Sequence, residues 1–347
     1  MKSPKKVLFT FSLLMVVITF VVVETILFAF YPVDFMRPSN EAPDNTWLDM
    51  IHRPSTTPGL VYELAPGKEK PFYGVNISTN SFGMRGQEPI IPDDESVCNL
   101  VAIGDSFTFG LRVAINNTYA KVLEHLLTND SPEKTTQVLN LGVAGYSTKD
   151  EVSVIKQKTM EWNPDLIILG YVLNDPETDP IQPLHSHYHE PKWWQYTNIT
   201  RLLALSIKRF KIKHYGNGDY LRYLHAPDGD KWQSVLQAFT GIQGISEKHD
   251  VPVLLVVFPM LASGIWSNYP FRDLHSQVTD AGSKSGFYTV DLYDTFSTYP
   301  PKELMVAAND PHPNALAHAL AANAIFQAIK RFSLPICENQ ETSKSLR

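Results

Sequence analysis

Cysteine is scarce in this chain of 347 residues: there are two, Cys98 and Cys337, and neither belongs to a Cys-x-x-Cys or Cys/His spacing that could hold zinc. That pattern excludes a thiolate-built structural metal site. A surplus of positive charge is lacking as well, since 30 Lys and Arg face 36 Asp and Glu for a net charge of −6. Without a basic excess to neutralise phosphates, nucleic acid is not an expected partner. No segment repeats at a period of about 20 to 50 residues, which sets solenoids and propellers aside. No G-x-G-x-x-G and no P-loop lysine accompanies the glycine-flanked turn at 104–110, so a nucleotide or flavin site has no support there. What the chain does have is apolar material, 44% with 11% aromatic, enough for one main domain with one large core plus appendages.

Residues 7–31 (VLFTFSLLMVVITFVVVETILFAFY) are apolar except for Glu24 and a few hydroxyls. At about 1.5 Å per residue the run is long enough to cross a bilayer core, and it has no polar face that would suit a buried helix of a soluble protein. Residues 1–31 are therefore expected to be a cytoplasmic tip and a transmembrane anchor. Lys2, Lys5 and Lys6 precede the run and Asp34, Glu41 and Asp44 follow it, so the positive-inside bias keeps the N-terminus cytoplasmic and the rest outside. A cleaved signal peptide is the competing reading, against which stand the length of the run and the want of a small-x-small cleavage site at its end. An extracytoplasmic location permits a disulfide between Cys98 and Cys337; two buried thiols are the ordinary alternative.

Residues 32–95 read as a stalk and domain-edge segment, rich in proline, asparagine and small polar residues over 32–71. Within it, Asn80 and Arg85 of NSFGMRG could face a substrate or cap the domain edge, and turn chemistry favours the second. From 96 to 334 the pattern is regular. Apolar strands at 97–103, 137–141, 165–172, 251–258 and 286–292 alternate with helices at 119–127, 151–162, 232–249, 271–285 and 315–332. Near-continuous apolar strands separated by helices are the sign of a parallel sheet covered on both faces, an α/β fold. An insertion at 176–229 interrupts the alternation; it is too long for an ordinary connection. Its basic amphipathic stretch at 199–215 could be a lid, a membrane-surface helix or a solvated helix packed on the domain, the last being preferred. His185, His187 and His189 alternate without acids or cysteines of matching spacing, and a polar loop accounts for them without a metal. Residues 335–347 are a tail.

Polar turns follow the strands in order: Gly104-Asp105-Ser106 after the first, Asn140 to Gly145 after the second, Asn174-Asp175 after the third, and Asp310-Pro311-His312-Pro313 before the last helix. In an open parallel sheet all of these leave at the carboxyl edge, where ligands bind. The set resembles the SGNH (GDSL-type) hydrolase superfamily, as GDS, N-x-x-x-x-G, ND and D-x-H-P over 97–332. The resemblance implies a flavodoxin-like three-layer α/β/α sandwich with a five-stranded parallel sheet. It also implies Ser106 as nucleophile, Ser106, Gly145 and Asn174 as oxyanion-hole donors, and His312 with Asp310 as base and acid. The residue types fit that chemistry on their own account. A serine hydroxyl attacks only when an imidazole takes its proton, and a carboxylate on the other ring nitrogen fixes the tautomer.

One spacing departs from the family pattern. Many members carry the acid three residues before the histidine, where this chain has Asn309, and Asp310 lies two before. Asp291 and Asp294 are substitutes, better explained as caps. Asp105 and Asp175 read as turn-stabilising and His318 as structural. The expected activity is hydrolysis of an O-acyl ester of an extracytoplasmic glycan, lipid or small molecule through an acyl-enzyme, with no cofactor. The alternatives are O-acyl transfer to an envelope polysaccharide and a non-catalytic binding or assembly role on the same fold.

Overall fold

Helix α1 (Pro4–Phe30) is continuous, with nearly all of its described side chains exposed, and it is long and apolar enough to cross a bilayer. The computed structural model describes residues 4–34, 51–72, 74–91, 97–178, 183–190 and 192–336. Cys98 is disulfide-bonded; Cys337 lies outside the described residues. The edge segment contains two antiparallel pairs, β1 (His52–Pro54) with β2 (Tyr62–Leu64) and β3 (Glu69–Phe72) with β4 (Val75–Ser78). It is sewn onto the domain by two buried tyrosines: Tyr62 donates its hydroxyl to the carbonyl of Ala144 at 2.8 Å, and Tyr146 donates to that of Tyr62 at 2.6 Å.

The main domain runs through β5 (Val97–Ile103), α2 (Ser106–Phe109), α3 (Tyr119–Asp130), β6 (Thr135–Asn140), α4 (Thr148–Val154) and β7 (Leu166–Val172). The inserted segment follows as α5 (Pro183–Tyr188), α6 (Asn198–Tyr215) and α7 (Tyr220–Leu224). The chain then completes the domain with α8 (Asp230–His249), β8 (Val253–Phe258), α9 (Arg272–Lys284), β9 (Tyr288–Asp291), α10 (Tyr293–Phe296), β10 (Met305–Ala307), β11 (Asp310–Pro313) and α11 (Ala315–Arg331).

Five strands form one sheet in the order β6-β5-β7-β8-β9, every neighbouring pair parallel. Because successive side chains of a strand point to opposite faces, each apolar run supplies two cores. Val101, Ile103, Leu169, Tyr171, Leu255 and Val257 meet Trp232, Phe239 and Ile242 of α8 and Leu274 and Val278 of α9. Leu100, Ala102, Ile168, Leu254 and Val256 meet Tyr119 and Leu123 of α3 and Ala321 and Ile325 of α11 on the other side. Each fully buried Leu, Ile, Val or Phe contributes about 1.5–3 kcal/mol, so neither face could be left bare. The fold is the three-layer α/β/α sandwich with a five-stranded parallel sheet.

Two local features differ from the sequence pattern. The helix expected over 151–162 starts earlier, because the Asp150 carboxylate accepts from both the backbone N–H and the hydroxyl of Ser147 and caps the first turn. It then widens into a π turn at Ile155–Thr159, where the Thr159 hydroxyl donates to the Val154 carbonyl, and ends where Asn163 takes the left-handed conformation at φ 45°. The alternating histidines, read as part of a polar loop, fall largely on the short helix α5.

The chain passes from β5 outward to β6 and then back across to β7, so the strand order reverses at β5. In doubly wound sheets the crevice beyond the carboxyl ends at this reversal is where ligands sit. Ile103, Asn140 and Val172 are the last residues of β5, β6 and β7, and the loops that follow them leave the same edge.

Candidate active site

Ser106 is the first residue of α2, directly after β5, and Asp105 caps that turn by accepting the Phe107 N–H at 2.8 Å. The turn can lie this tightly on the sheet because residue 104 has no side chain: a Cβ there would meet the Thr108 hydroxyl at 2.2 Å and the Gly170 carbonyl at 2.9 Å. The hydroxyl of Ser106 lies 2.9 Å from His312 Nε2 and 3.3 Å from Asp105 Oδ2.

His312 comes from the far end of the chain on β11, which pairs with β10 in an antiparallel hairpin. Asn314 fixes where that hairpin hands over to α11. Its side-chain oxygen caps the helix on the Ala317 N–H at 3.1 Å, and its amide donates to the carbonyls of Glu303 and Met305. The other imidazole nitrogen, Nδ1, sits 2.5 Å from Asp310 Oδ1, while Asp310 Oδ2 accepts from Arg112 Nη1 at 2.8 Å. Burial opposes ionisation of Asp310, but the bonds from His312 and Arg112 outweigh it and hold the carboxyl below its ordinary range. The imidazole thus lies between a hydroxyl and a carboxylate, the geometry a serine needs to become a nucleophile. The substitutes read from the sequence are engaged elsewhere. Asp291 accepts from His275 at 2.7 Å and Arg272 at 3.1 Å, and Asp294 pairs with Arg272 at 3.7 Å.

Around Ser106 is a cavity of about 280 Å³, with Gly145, Asn174 and His312 on its wall beside Leu184, Met260 and Leu261. Leu184 is contributed by α5, so the inserted segment forms part of the wall. The loop bearing Gly145 is held against α2 by Asn140, whose amide donates to the Thr108 carbonyl at 2.8 Å while its oxygen accepts the Gly142 N–H at 3.0 Å. Gly145 has φ 81°, a conformation that favours glycine over residues with a Cβ. Asn174 donates its side-chain amide to the Asp105 carboxylate, which ties the third polar turn to the first.

Asn80 and Arg85, candidates for substrate contact, do not line this cavity. Arg85 is buried; its guanidinium donates to the carbonyls of Phe109, Gly110 and Val113 and stacks 4.4 Å from the Phe109 ring. Burial alone brings it down to about 10. It ties down the backbone that follows α2, and so supports Ser106 from behind. Asn80 accepts the N–H groups of Phe82 and Met84 and thereby shapes its own turn. His318 is fully buried, accepts the Tyr119 N–H at 3.1 Å, and is pushed down to about 3 by burial.

Two residues at the site carried no sequence signal. Arg112 has φ 62°, a left-handed backbone that nothing in LRV announces, and only the fold brings it to Asp310. Glu151 lies fully buried beneath the site, near Asp105 and Asp175, and neither of its oxygens has a hydrogen-bond partner among the described residues. Burial, then the charges of Asp105 and Asp150, push its carboxyl well above the ordinary range. Asp175 is raised by burial and by Glu151 and Asp105, and burial raises Asp105 too, against the bonds it receives from Phe107, Asn174 and Ser106. Burial and mutual repulsion favour the neutral form across these three carboxyls, and Glu151, with no donor among the described residues, has least to offset them.

Residues 102–320 match the profile of the GDSL-like lipase/acylhydrolase family. No curated protein sequence matches the chain. Solved structures do. An acetylxylan esterase from Geobacillus stearothermophilus is 20% identical over 67% of this chain and 94% of its own, with a TM-score of 0.44. TesA is 14% identical over 67% of this chain and 98% of its own, also at 0.44. A two-domain esterase active on acetylated mannans is 16% identical over 68% of this chain, at 0.43; the chain spans only 49% of that protein's length.

Proposed function

The chain belongs to the GDSL-like lipase/acylhydrolase family and is a serine ester hydrolase; on that premise we propose that Ser106, His312 and Asp310 are its catalytic triad and that it deacylates an O-acyl ester outside the cytoplasm. His312 Nε2 takes the Ser106 proton as the hydroxyl oxygen attacks the ester carbonyl. Asp310, fixed by Arg112, holds the imidazole in the tautomer whose Nε2 is free to accept and stabilises the imidazolium. The oxyanion is received by the N–H groups of Ser106 and Gly145 and by the Asn174 amide. As the tetrahedral intermediate collapses, His312 returns its proton to the leaving alcohol, and a water activated by the same imidazole then releases the acyl group from Ser106.

The observation that carries this reading is the single imidazole bridging the Ser106 hydroxyl at 2.9 Å and the Asp310 carboxylate at 2.5 Å. The cavity, at about 280 Å³, lies just below the roughly 300–1,000 Å³ of pockets for drug-sized ligands. It suits a short acyl group on an alcohol that extends into solvent, a glycan, lipid or small molecule. Two features support an extracytoplasmic, membrane-anchored domain: α1 with Lys5 and Lys6 at its start, and the disulfide at Cys98, which persists in oxidising compartments. The test is hydrolysis of a short aryl ester by the full chain and by Ser106→Ala, with mass spectrometry of the intact protein during turnover. An acyl adduct on Ser106 and loss of turnover in the variant are expected. Undiminished turnover in Ser106→Ala would refute the assignment.

A further inference from the structure

Helix α6 carries an apolar stripe on the side turned away from the domain. Its inner side is accounted for: Asn198 and Arg201 are buried, and Lys208 reaches Glu177 at 3.2 Å. On the outer side Leu203, Ile207 and Phe210, spaced by four and three residues, form one stripe and are 60%, 50% and 66% exposed. Trp193, in the turn just before the helix, is 78% exposed. Isolated exposed leucines are ordinary on a protein surface, but a continuous apolar row rimmed by Arg209, Lys211 and Lys213 is not.

The same helix is tied to α1. The Glu24 carboxylate accepts the backbone N–H groups of Asn198 and Ile199, at 2.6 and 2.9 Å, and the Asn198 side-chain amide at 2.8 Å. Asn198 Oδ1 in turn accepts the Val33 N–H at 2.9 Å and Arg201 Nη2 at 2.8 Å. A bilayer core takes up about 20 helical residues. Counted from Val7, that length ends near Ile26, which leaves Glu24 within one turn of the outer edge. In that register the bonds to Glu24 bring the first turn of α6 near the level where hydrocarbon gives way to headgroups.

We propose that α6 is an interfacial helix: the stripe of Leu203, Ile207 and Phe210, with Trp193, rests in the headgroup–acyl boundary of the bilayer that α1 crosses, and Arg209, Lys211 and Lys213 engage anionic headgroups. The inference rests on the reading of α1 as a membrane anchor. It gives the inserted segment two tasks, since that segment also supplies Leu184 to the cavity wall, and it holds the site over the lipid surface in a set orientation.

The full chain, placed in phosphatidylcholine vesicles containing phosphatidylglycerol, tests this with an environment-sensitive fluorophore on one introduced cysteine at a time; Cys98, being disulfide-bonded, does not compete for the label. Leu203→Cys, Ile207→Cys and Phe210→Cys are expected to emit at blue-shifted wavelengths and to lose most of their intensity to lipids carrying a nitroxide near the headgroup. Quenching should weaken when phosphatidylglycerol is omitted. Val17→Cys should be quenched by nitroxides deep in the acyl chains, and Thr128→Cys, on the exposed side of α3, by neither. Quenching at Val17 with aqueous emission at 203, 207 and 210 overturns the interfacial helix and leaves the anchor standing. A blue shift at those positions without lipid quenching means that another copy of the chain covers the stripe, and also overturns it. Aqueous emission at Val17 overturns the anchor and the inference together.

Discussion

Replacing Asp310 by asparagine probes the site at its most constrained contact. Asp310 Oδ1 accepts from His312 Nδ1 at 2.5 Å and Oδ2 from Arg112 Nη1 at 2.8 Å. Oδ1 also accepts the His312 backbone N–H at 3.2 Å, so an asparagine here meets a fixed donor whichever way it turns; the shorter bond from Arg112, which can only donate, draws its oxygen to that side, and the NH₂ then faces His312 with the backbone bond given up. The imidazole then accepts at Nδ1 and carries its proton on Nε2, the nitrogen that has to receive the Ser106 proton. The reversed tautomer leaves no base for attack. The corresponding exchange in chymotrypsin-type triads costs about 10⁴-fold in kcat, close to 5.5 kcal/mol of transition-state stabilisation, and a loss of roughly 10³- to 10⁴-fold is expected here. Stability should fall only modestly, by about 0.5–1.5 kcal/mol for the lost backbone bond, because the side chain keeps its shape and is only partly enclosed. The assay is kcat/KM on a short aryl ester, with the melting temperature followed in parallel. Asp291→Asn serves as the contrast: it should keep near-native kcat/KM and lose stability, since Asp291 holds His275 and Arg272. A kcat/KM for Asp310→Asn within tenfold of the native value would refute the reasoning, and would do so most clearly if Asp291→Asn were the inactive variant.

Asn174→Ala should lower kcat by about 10²- to 10³-fold, or 2.7–4 kcal/mol, with KM little altered, because the amide meets negative charge only in the transition state; an equal rise in KM would place the residue in ground-state binding instead. Glu151→Gln should stabilise the protein increasingly as pH rises. Below about 4.3 the carboxyl is protonated both folded and unfolded; above that, the unfolded chain releases its proton first while the folded chain, whose carboxyl burial holds well above the ordinary range, retains it. Each pH unit in that interval removes about 1.4 kcal/mol of native stability, a loss the amide variant does not share. Urea denaturation of both proteins across a pH series reads this out, and parallel stability curves would contradict a buried, neutral Glu151.

Much of the site was legible before the fold was known, for a local reason. β7 and β8 are apolar without interruption and β5 nearly so, because both faces of the sheet are covered, and such runs announce their own ends. Gly104-Asp105-Ser106, Asn140 to Gly145 and Asn174 each follow such an end, so their arrival at one edge could be expected from order alone. His312 is expected at the same edge from its place before the last helix, although the short hairpin that carries it, outside the main sheet, has no pattern of its own. Asn80 and Arg85 look like surface polar residues in a turn and prove to be buried, since what Arg85 binds, the carbonyls after α2, has no signature in side-chain types. The outer stripe of α6 was visible as amphipathicity, but which side faced the domain was not.

The amino-acid sequence by itself determined the apolar first helix, the parallel sheet and the edge at which Ser106, Gly145 and Asn174 lie, because these follow from hydrophobic runs and turn residues close together in the chain. Only the tertiary structure decided that Asp310 and not Asp291 meets the imidazole, that Arg112 secures it, that Glu151 is buried beneath the site, and that Glu24 receives the start of α6. Arg112 and Asp310, and Glu24 and the start of α6, lie far apart in the chain, and whether such groups meet is set by how whole elements pack, which no local pattern encodes.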